Sequence, residues 1–299
     1  MSSLPAFKWK PLELGDLEEL KKFLELRPQE VSELALANLY LWQEFDRPCL
    51  ARQGENLVLS LSPPNEPPYI LEPLGLPPSP KLVEACLLEV GRLSRLPASF
   101  LPVIPSRGVI VRENRDQFDY LYRREDLALL RGKKFDGKRN LVRRFQKTYP
   151  EYEFLVVGKE MKSEAMAFFW DWVAAKSMES LRQPLGLENQ ARALEKSFEL
   201  WERLSLRGGL LVASREKKAI KGLIIASPLN NETAVVHFQY ADPKTPGASQ
   251  TLLWAACNSL LLPFSLVNLE QDLGVAGMRK AKLSYHPCRL VAKYDVERR

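Results

Sequence analysis

Three groups of residues in the last part of the chain have the types and spacing to do chemistry. His237, in VVHFQY, and Glu270 and Asp272, in NLEQDLG, can take or give a proton, and the two acids follow a strand-like run at its carboxyl end. In Gly277-Met278-Arg279-Lys280-Ala281-Lys282, Arg279 and Lys282 lie three apart on one side of a helix. With Lys280 they could hold a phosphate or a developing oxyanion. Lys244-Thr245-Pro246-Gly247-Ala248-Ser249 is a Pro/Gly connection from a strand to a helix. Backbone N–H groups and a helix N-terminus there can face an anion. Each group also has a plainer reading: a hydrogen-bonded core histidine, a solvated helix end, an ordinary turn. Taken together they suit acyl transfer, which needs an oriented donor and nucleophile, a stabilised oxyanion and one moved proton.

The rest of the sequence narrows the chemistry. His237 and His286 are the only histidines, and neither belongs to a Cys/His cluster of metal-ligand spacing, so no metal site is expected. Cys49, Cys86, Cys257 and Cys288 lie far apart and read as reduced thiols of a cytoplasmic protein. Gly132-Lys133-Lys134-Phe135-Asp136-Gly137-Lys138-Arg139 falls short of a nucleotide-binding P-loop. Arg139 stands where Ser or Thr should hold magnesium, and the residues before it read as helix. The net charge is +6, and it is concentrated: Arg131, Lys133, Lys134, Lys138, Arg139, Arg143, Arg144 and Lys147 are opposed only by Asp136. Such a run is either a solvated helix face or a surface for the phosphates of RNA or of anionic lipid. The start, MSSLPAFKWKPLEL, has no signal-peptide pattern. The apolar window from Thr251 to Val267 contains Asn258 and Pro263 and is too short to span a bilayer.

The elements that must position these residues follow from periodicity. Residues 1–150 and 151–299 are expected to form two domains of mixed helices and strands. In the first, helices are expected over Asp16–Leu26, Val31–Trp42 and Lys81–Leu96, with strands at Leu57–Leu61, Gly108–Arg112 and Asp119–Arg123. Eight prolines between Pro63 and Pro80 predict an irregular connection. A basic helix over Lys138–Tyr149 is stopped by Pro150. In the second, a strand at Tyr152–Val157 precedes two helices marked by Met161, Ala165, Phe168 and Trp172, then Leu187, Ala191, Leu194, Phe198 and Trp201. Strands at Gly209–Ala213, Ala219–Ala226 and Thr233–Tyr240 form an antiparallel meander. A helix (Ser249–Leu261), a strand (Ser265–Leu269), a short helix (Gly274–Ala281) and a strand (Arg289–Tyr294) complete the chain.

This order resembles the GCN5-related N-acyltransferase fold, so the expected class is α+β: two tandem domains, each a mixed, mostly antiparallel sheet flanked by helices. In that fold the donor pyrophosphate is bound by R/Q-x-x-G-x-G/A, and Lys244, Gly247 and Ser249 fall at the matching spacing. The runs FQYADPKTPGASQ, VNLEQDLGVAGMRKAKLSYHPCRLVAKY and DYLYRREDLALLRGKKFDGKRNLVRRF resemble the family of phosphatidylglycerol lysyltransferase C-terminal domains, over roughly Asp119 to Tyr294. That family is related to the Fem-type aminoacyltransferases. Their segment G-L-Y-R-F-K lies over Gly277–Lys282, with matches at Gly277 and Lys282, a basic match at Lys280, and departures at Arg279 and Ala281.

The resemblance implies an aminoacyl-tRNA donor, an acceptor such as the hydroxyl of a lipid headgroup, and no required cofactor. Lys282 would act electrostatically, and Glu270, Asp272 or His237 would take the proton. Arg139, Arg143, Arg144, Arg279 and Lys280 would bind phosphates of tRNA or of an anionic phospholipid surface. The full lysyltransferases carry a membrane-embedded N-terminal region, which this chain does not show. The expected place is therefore the cytoplasm or the periphery of a membrane. Two alternatives are an acyl-CoA-dependent N-acyltransferase and an inactive phosphate- or RNA-binding module.

Overall fold

The computed structural model describes residues 6–175, 186–214 and 219–299. The chain forms two compact units. One comprises Met1–Asp119, Gln271–Val275 and Leu290–Arg299, the other Tyr120–Glu270 and Ala276–Arg289. The division thus falls at Asp119 rather than after residue 150, and the C-terminal end returns to the first unit.

The first unit begins with β1 (Lys10–Pro11), α1 (Leu17–Glu25), α2 (Leu36–Leu41) and α3 (Gln43–Asp46). Next come β2 (Cys49–Gln53), β3 (Asn56–Leu61), β4 (Tyr69–Ile70), β5 (Leu74–Gly75), α4 (Pro80–Val90), β6 (Arg92–Pro97) and β7 (Val109–Glu113). The proline-rich stretch is not wholly irregular. Tyr69–Ile70 and Leu74–Gly75 are buried two-residue strands on β3, short enough to lie between prolines without losing ladder bonds. The helix expected to reach Leu96 stops at Val90. Gly91 adopts a left-handed conformation (φ 83°) and donates its N–H to the Leu87 carbonyl, so Arg92–Pro97 leaves as a strand. The helix expected over Val31–Trp42 is broken by extended Ala35, leaving a 3-10 turn at Ser32–Leu34 before α2. Leu82, Val83, Cys86 and Leu87 of α4 pack with Val58, Ile70, Leu93 and Leu96 of the sheet.

The second unit contains β8 (Asp119–Arg123), α5 (Arg124–Leu129), α6 (Asp136–Thr148), β9 (Glu153–Val157), α7 (Lys162–Ala175) and α8 (Leu187–Glu199). It continues with β10 (Arg207–Val212), β11 (Ile220–Pro228), β12 (Thr233–Ala241), α9 (Ala248–Cys257), β13 (Leu266–Asn268) and α10 (Ala276–Leu283), and the division then falls within β14 (Arg289–Val291), after Arg289. The sheet order is β14-β8-β13-β12-β11-β10-β9. β9 to β12 pair antiparallel as the expected meander. β12 and β13 pair in parallel, over Thr233–Val235 and Leu266–Asn268 only. β11 and β12 are buried over runs of consecutive residues, so both faces of the sheet are covered. α7 and α9 supply cover.

The final strand, β15 (Lys293–Arg298), lies between β6 and β7 in the first sheet and pairs antiparallel with both. Both units therefore hold a parallel pair joined through a helix: β4 and β6 around α4, β12 and β13 around α9. The fold is mixed α+β, as the order of elements implied.

Candidate active site

The parallel pairing of β12 with β13 stops at Val235 and Asn268. Two residues beyond it on each side stand His237 and Glu270. His237 Nδ1 lies 3.2 Å from Glu270 Oε1. Two local irregularities place them there. The β11–β12 register shifts between Ile225 and Ala226, which pair with Phe238 and Val236, so His237 is the extra residue of a bulge. Glu270 has φ 56°, a conformation uncommon outside glycine. It is pinned there by its N–H on Asn268 Oδ1 (2.7 Å) and by its carbonyl, which accepts from Tyr120 N (3.3 Å).

The two side chains differ in access. That of His237 is fully buried, so the slight exposure of this residue is backbone, whereas 21% of the Glu270 side chain is exposed. Glu270 thus meets solvent, with the imidazole behind it. His237 Nε2 lies 2.7 Å from Ser227 Oγ on β11. Tyr240, also on β12, donates its hydroxyl to Gln190 Oε1 (3.1 Å) and packs against Phe169 and Trp172. Burial, and after it the charge of Glu270, pushes the Tyr240 hydroxyl well above its usual range.

Lys282 belongs to the same unit. Its ammonium stands 5.7 Å from the centroid of the Tyr120 ring, and Tyr120 exchanges backbone hydrogen bonds with Leu269 and Glu270. The Lys282 carbonyl accepts from the Tyr122 hydroxyl (2.8 Å). Arg279 is partly buried on the same helix, and Lys280 is exposed. Asp272 is accounted for in the other unit. It is fully buried, its Oδ1 accepts from Gly274 N (2.9 Å), and its Oδ2 is 3.3 Å from Arg115. These contacts shape the Gln271–Val275 turn. A two-residue spacing in sequence gave no sign that Glu270 and Asp272 would join different units.

The Lys244–Ser249 loop is built around Asp242. Its Oδ1 accepts from Lys244 N, and its Oδ2 accepts from Thr245 Oγ1 and Lys221 Nζ. Burial alone would lift the Asp242 carboxyl, but the Lys221, Thr245 and Lys244 hydrogen bonds outweigh it and hold the group below its usual range. Gly247 has φ 84°, and a Cβ there would lie 2.2 Å from the Leu141 carbonyl oxygen of α6. In a pyrophosphate cradle this glycine would let phosphate reach its backbone. Here a helix carbonyl lies where a side chain would begin, so the turn admits only glycine at this position. Ser249 Oγ accepts from Gln239 Nε2 (3.1 Å).

The basic run divides into two sets. Arg139 donates to the carbonyls of Leu130 and Gly132 and pairs with Asp136, so it closes the turn before its own helix. Lys138 is partly buried, bonded to Ser284 Oγ (2.6 Å) and 3.9 Å from the Tyr285 ring centroid, and burial lowers its pKa. Arg131, Lys133, Lys134, Arg143, Arg144 and Lys147 are exposed. The sequence reading of Arg139 as a phosphate ligand is corrected to a structural one, while Arg143 and Arg144 face solvent as that reading requires. A groove of about 520 Å³ between α7 and α8, lined by Lys162, Met166, Trp170 and Arg192 among others, has Lys162 paired with Glu195 on its wall.

Among the described residues no cluster of His, Cys, Asp or Glu is arranged to hold a metal, and no helix is long and apolar enough to cross a membrane. The family described as "Phosphatidylglycerol lysyltransferase, C-terminal" matches residues 24–297. No curated protein matches the chain. Among solved structures, a conserved protein of unknown function from Bacteroides thetaiotaomicron is 27% identical, with TM-score 0.88 over 98% of this chain and 100% of that one. L-PGS from Bacillus licheniformis is 17% identical, with TM-score 0.65 over 94% and 91%. The C-terminal domain of a putative lysylphosphatidylglycerol synthetase from Agrobacterium fabrum is 14% identical, with TM-score 0.67 over 95% and 92%. A tandem GNAT protein of the clavulanic acid pathway matches with TM-score 0.50 at 11% identity over 98% of each chain.

Proposed function

Because the chain belongs to the family of phosphatidylglycerol lysyltransferase C-terminal domains, we propose that it is an aminoacyltransferase. It moves an amino acid from aminoacyl-tRNA to a hydroxyl or amine, with the headgroup hydroxyl of a phospholipid such as phosphatidylglycerol as first candidate. The observation that carries this reading is the His237–Glu270 pair where β12 and β13 part, with the acid exposed and the imidazole buried.

The ester of a charged tRNA is already activated, so the protein has to orient it, remove one proton and stabilise one oxyanion. Glu270 takes the proton from the acceptor hydroxyl as its oxygen attacks the acyl carbon. The tetrahedral intermediate collapses with loss of the tRNA ribose hydroxyl, which recovers the proton. Lys282, over the Tyr120 ring beside the Glu270 backbone, contributes positive charge near the carbonyl oxygen. Arg143, Arg144, Lys280 and Arg279 meet phosphates of RNA or of an anionic membrane, which gives the protein a peripheral place at the cytoplasmic face.

The test is transfer of labelled amino acid from a charged tRNA pool into phosphatidylglycerol liposomes and cell extract, with Glu270→Gln alongside. Enzyme-dependent label in lipid, lost in the variant, is the expected result. Label in another product keeps the chemistry and changes the acceptor. A tRNA pool that stays charged in every mixture rejects the reading and leaves a binding module.

A further inference from the structure

Ser227 carries no role in the scheme above, yet it completes a chain of three hydrogen-bonding groups. Its Oγ is 2.7 Å from His237 Nε2, and His237 Nδ1 is 3.2 Å from Glu270 Oε1. The same Oγ is 3.3 Å from the Pro228 carbonyl oxygen. The order serine, histidine, acid is that of a nucleophilic triad, but the access is reversed. A triad exposes its serine to the acyl group and buries its acid. Here Ser227 is 1% exposed, the imidazole is enclosed, and the acid is the member that meets solvent.

We propose that Ser227 is a positioning residue of the transfer site. Its hydroxyl, donating to Nε2, holds the His237 tautomer that donates Nδ1–H to Glu270 both before and after the acid takes the transferred proton. The inference rests on the reading of Glu270 as the proton acceptor. With Glu270 ionised, Ser227 O–H donates to Nε2 and Nδ1–H donates to the carboxylate. With the transferred proton on the carboxyl group, Nδ1 is already protonated and passes nothing on, so Ser227 O–H still donates to Nε2 and Nδ1–H still donates to Glu270. Each group has a partner in both states, so the proton is held without leaving a buried polar atom unmatched. The proton comes from the acceptor hydroxyl as the new ester bond forms. It leaves to the ribose oxygen as the old ester bond breaks, and the pair ends as it began. The register shift that makes His237 the extra residue of its strand brings its ring to Ser227, although Ser227 pairs across the ladder with Val235. Among the groups facing the imidazole are Ser227 from β11 and Glu270 from beyond β13, with Tyr240 near the carboxylate.

The test is ¹⁵N NMR of protein labelled at histidine. His237 and His286 are the only imidazoles, and His286→Asn assigns them. The wild type is expected to show a single Nδ1–H tautomer at His237 at high pH. Ser227→Ala should give a tautomer mixture, and Ser227→Thr should restore the wild-type pattern. In the transfer assay Ser227→Ala should lower kcat about tenfold to hundredfold and move its pH profile, with KM unchanged. An Nε2–H tautomer in the wild type, or an unchanged tautomer in Ser227→Ala, overturns the proposal. So does stoichiometric labelling of Ser227 by a fluorophosphonate, which would make it a nucleophile. The expected NMR pattern in a protein that transfers nothing supports the hydrogen-bond chain and removes the transfer reading instead.

Discussion

At the scale of single residues, the site depends on two side chains held by unusual backbone. Glu270 is the more consequential. Glu270→Gln keeps the shape and the hydrogen bond to His237 but cannot take a proton, so the transfer rate should fall about 10²- to 10⁴-fold, with circular dichroism unchanged. A residue of the first unit shows how burial acts on a carboxyl. Burial lifts Asp46 from 3.8 to about 7, opposed by Arg95 and aided by Glu33 and Glu66. The folded state then holds this proton more tightly than the unfolded state, so the contribution of Asp46 to stability is greatest below pH 4 and is lost as pH rises to about 7. Asp46→Asn should remove that slope. Its gain in Tm over the wild type should be absent at pH 4 and largest near pH 8, as thermal unfolding at both pH values would show.

At the scale of elements, α6 does two things that a count of its charges could not separate. Its N-terminal cations are engaged: Arg139 on the Leu130 and Gly132 carbonyls, Lys138 on Ser284. Arg143 and Arg144 are exposed. Arg139→Ala should therefore cost about 1–3 kcal/mol of stability by leaving carbonyls unmatched, with little effect on RNA affinity. Arg143→Ala with Arg144→Ala should leave denaturation midpoints within about 0.5 kcal/mol of wild type. That pair should weaken tRNA binding and reduce its salt slope by roughly 1–2. Filter binding across a salt series, beside urea titrations, distinguishes the two sets. The connection into α9 makes a further prediction. Gly247→Ala places a methyl against the Leu141 carbonyl at positive φ, and should destabilise the protein by more than about 2 kcal/mol.

At the scale of the whole molecule, the chain serves each unit by leaving it and coming back. Lys293, near the C-terminal end, is fully buried in the first unit, with its ammonium 2.5 Å from Glu33 and 2.7 Å from Asp119. Asp119 also accepts from Ser32 N and Oγ. Removing the ammonium takes a buried cation from both carboxylates and leaves Glu33 with the more distant Arg95, so Lys293→Ala should cost about 3–5 kcal/mol in chemical denaturation. The two units repeat a parallel strand pair around a helix but differ at the loop into it. Ser79 caps α4 among Pro77, Pro78 and Pro80, which have no N–H to offer an anion. The corresponding loop of the second unit is tied to Asp242 and α6.

Sequence by itself determined the class, the order of strands and helices from Glu153 to Leu283, the meander and the family, because these follow from local periodicity, turn chemistry and short runs of residues such as VNLEQDLGVAGMRKAK; the one strand expected over Arg289–Tyr294 is two, β14 and β15, in different sheets. It also brought His237 and Glu270 forward as acids and bases worth weighing. Tertiary structure alone decided that His237 and Glu270 meet while Asp272 lies in the other unit, that Arg139 is a turn clamp, and that Ser227 stands behind the imidazole. Those outcomes turn on a one-residue register shift, a positive φ at Glu270 and a chain that leaves a unit and returns to it. Each arises from interactions between residues remote in sequence, and no local pattern of residue types encodes it.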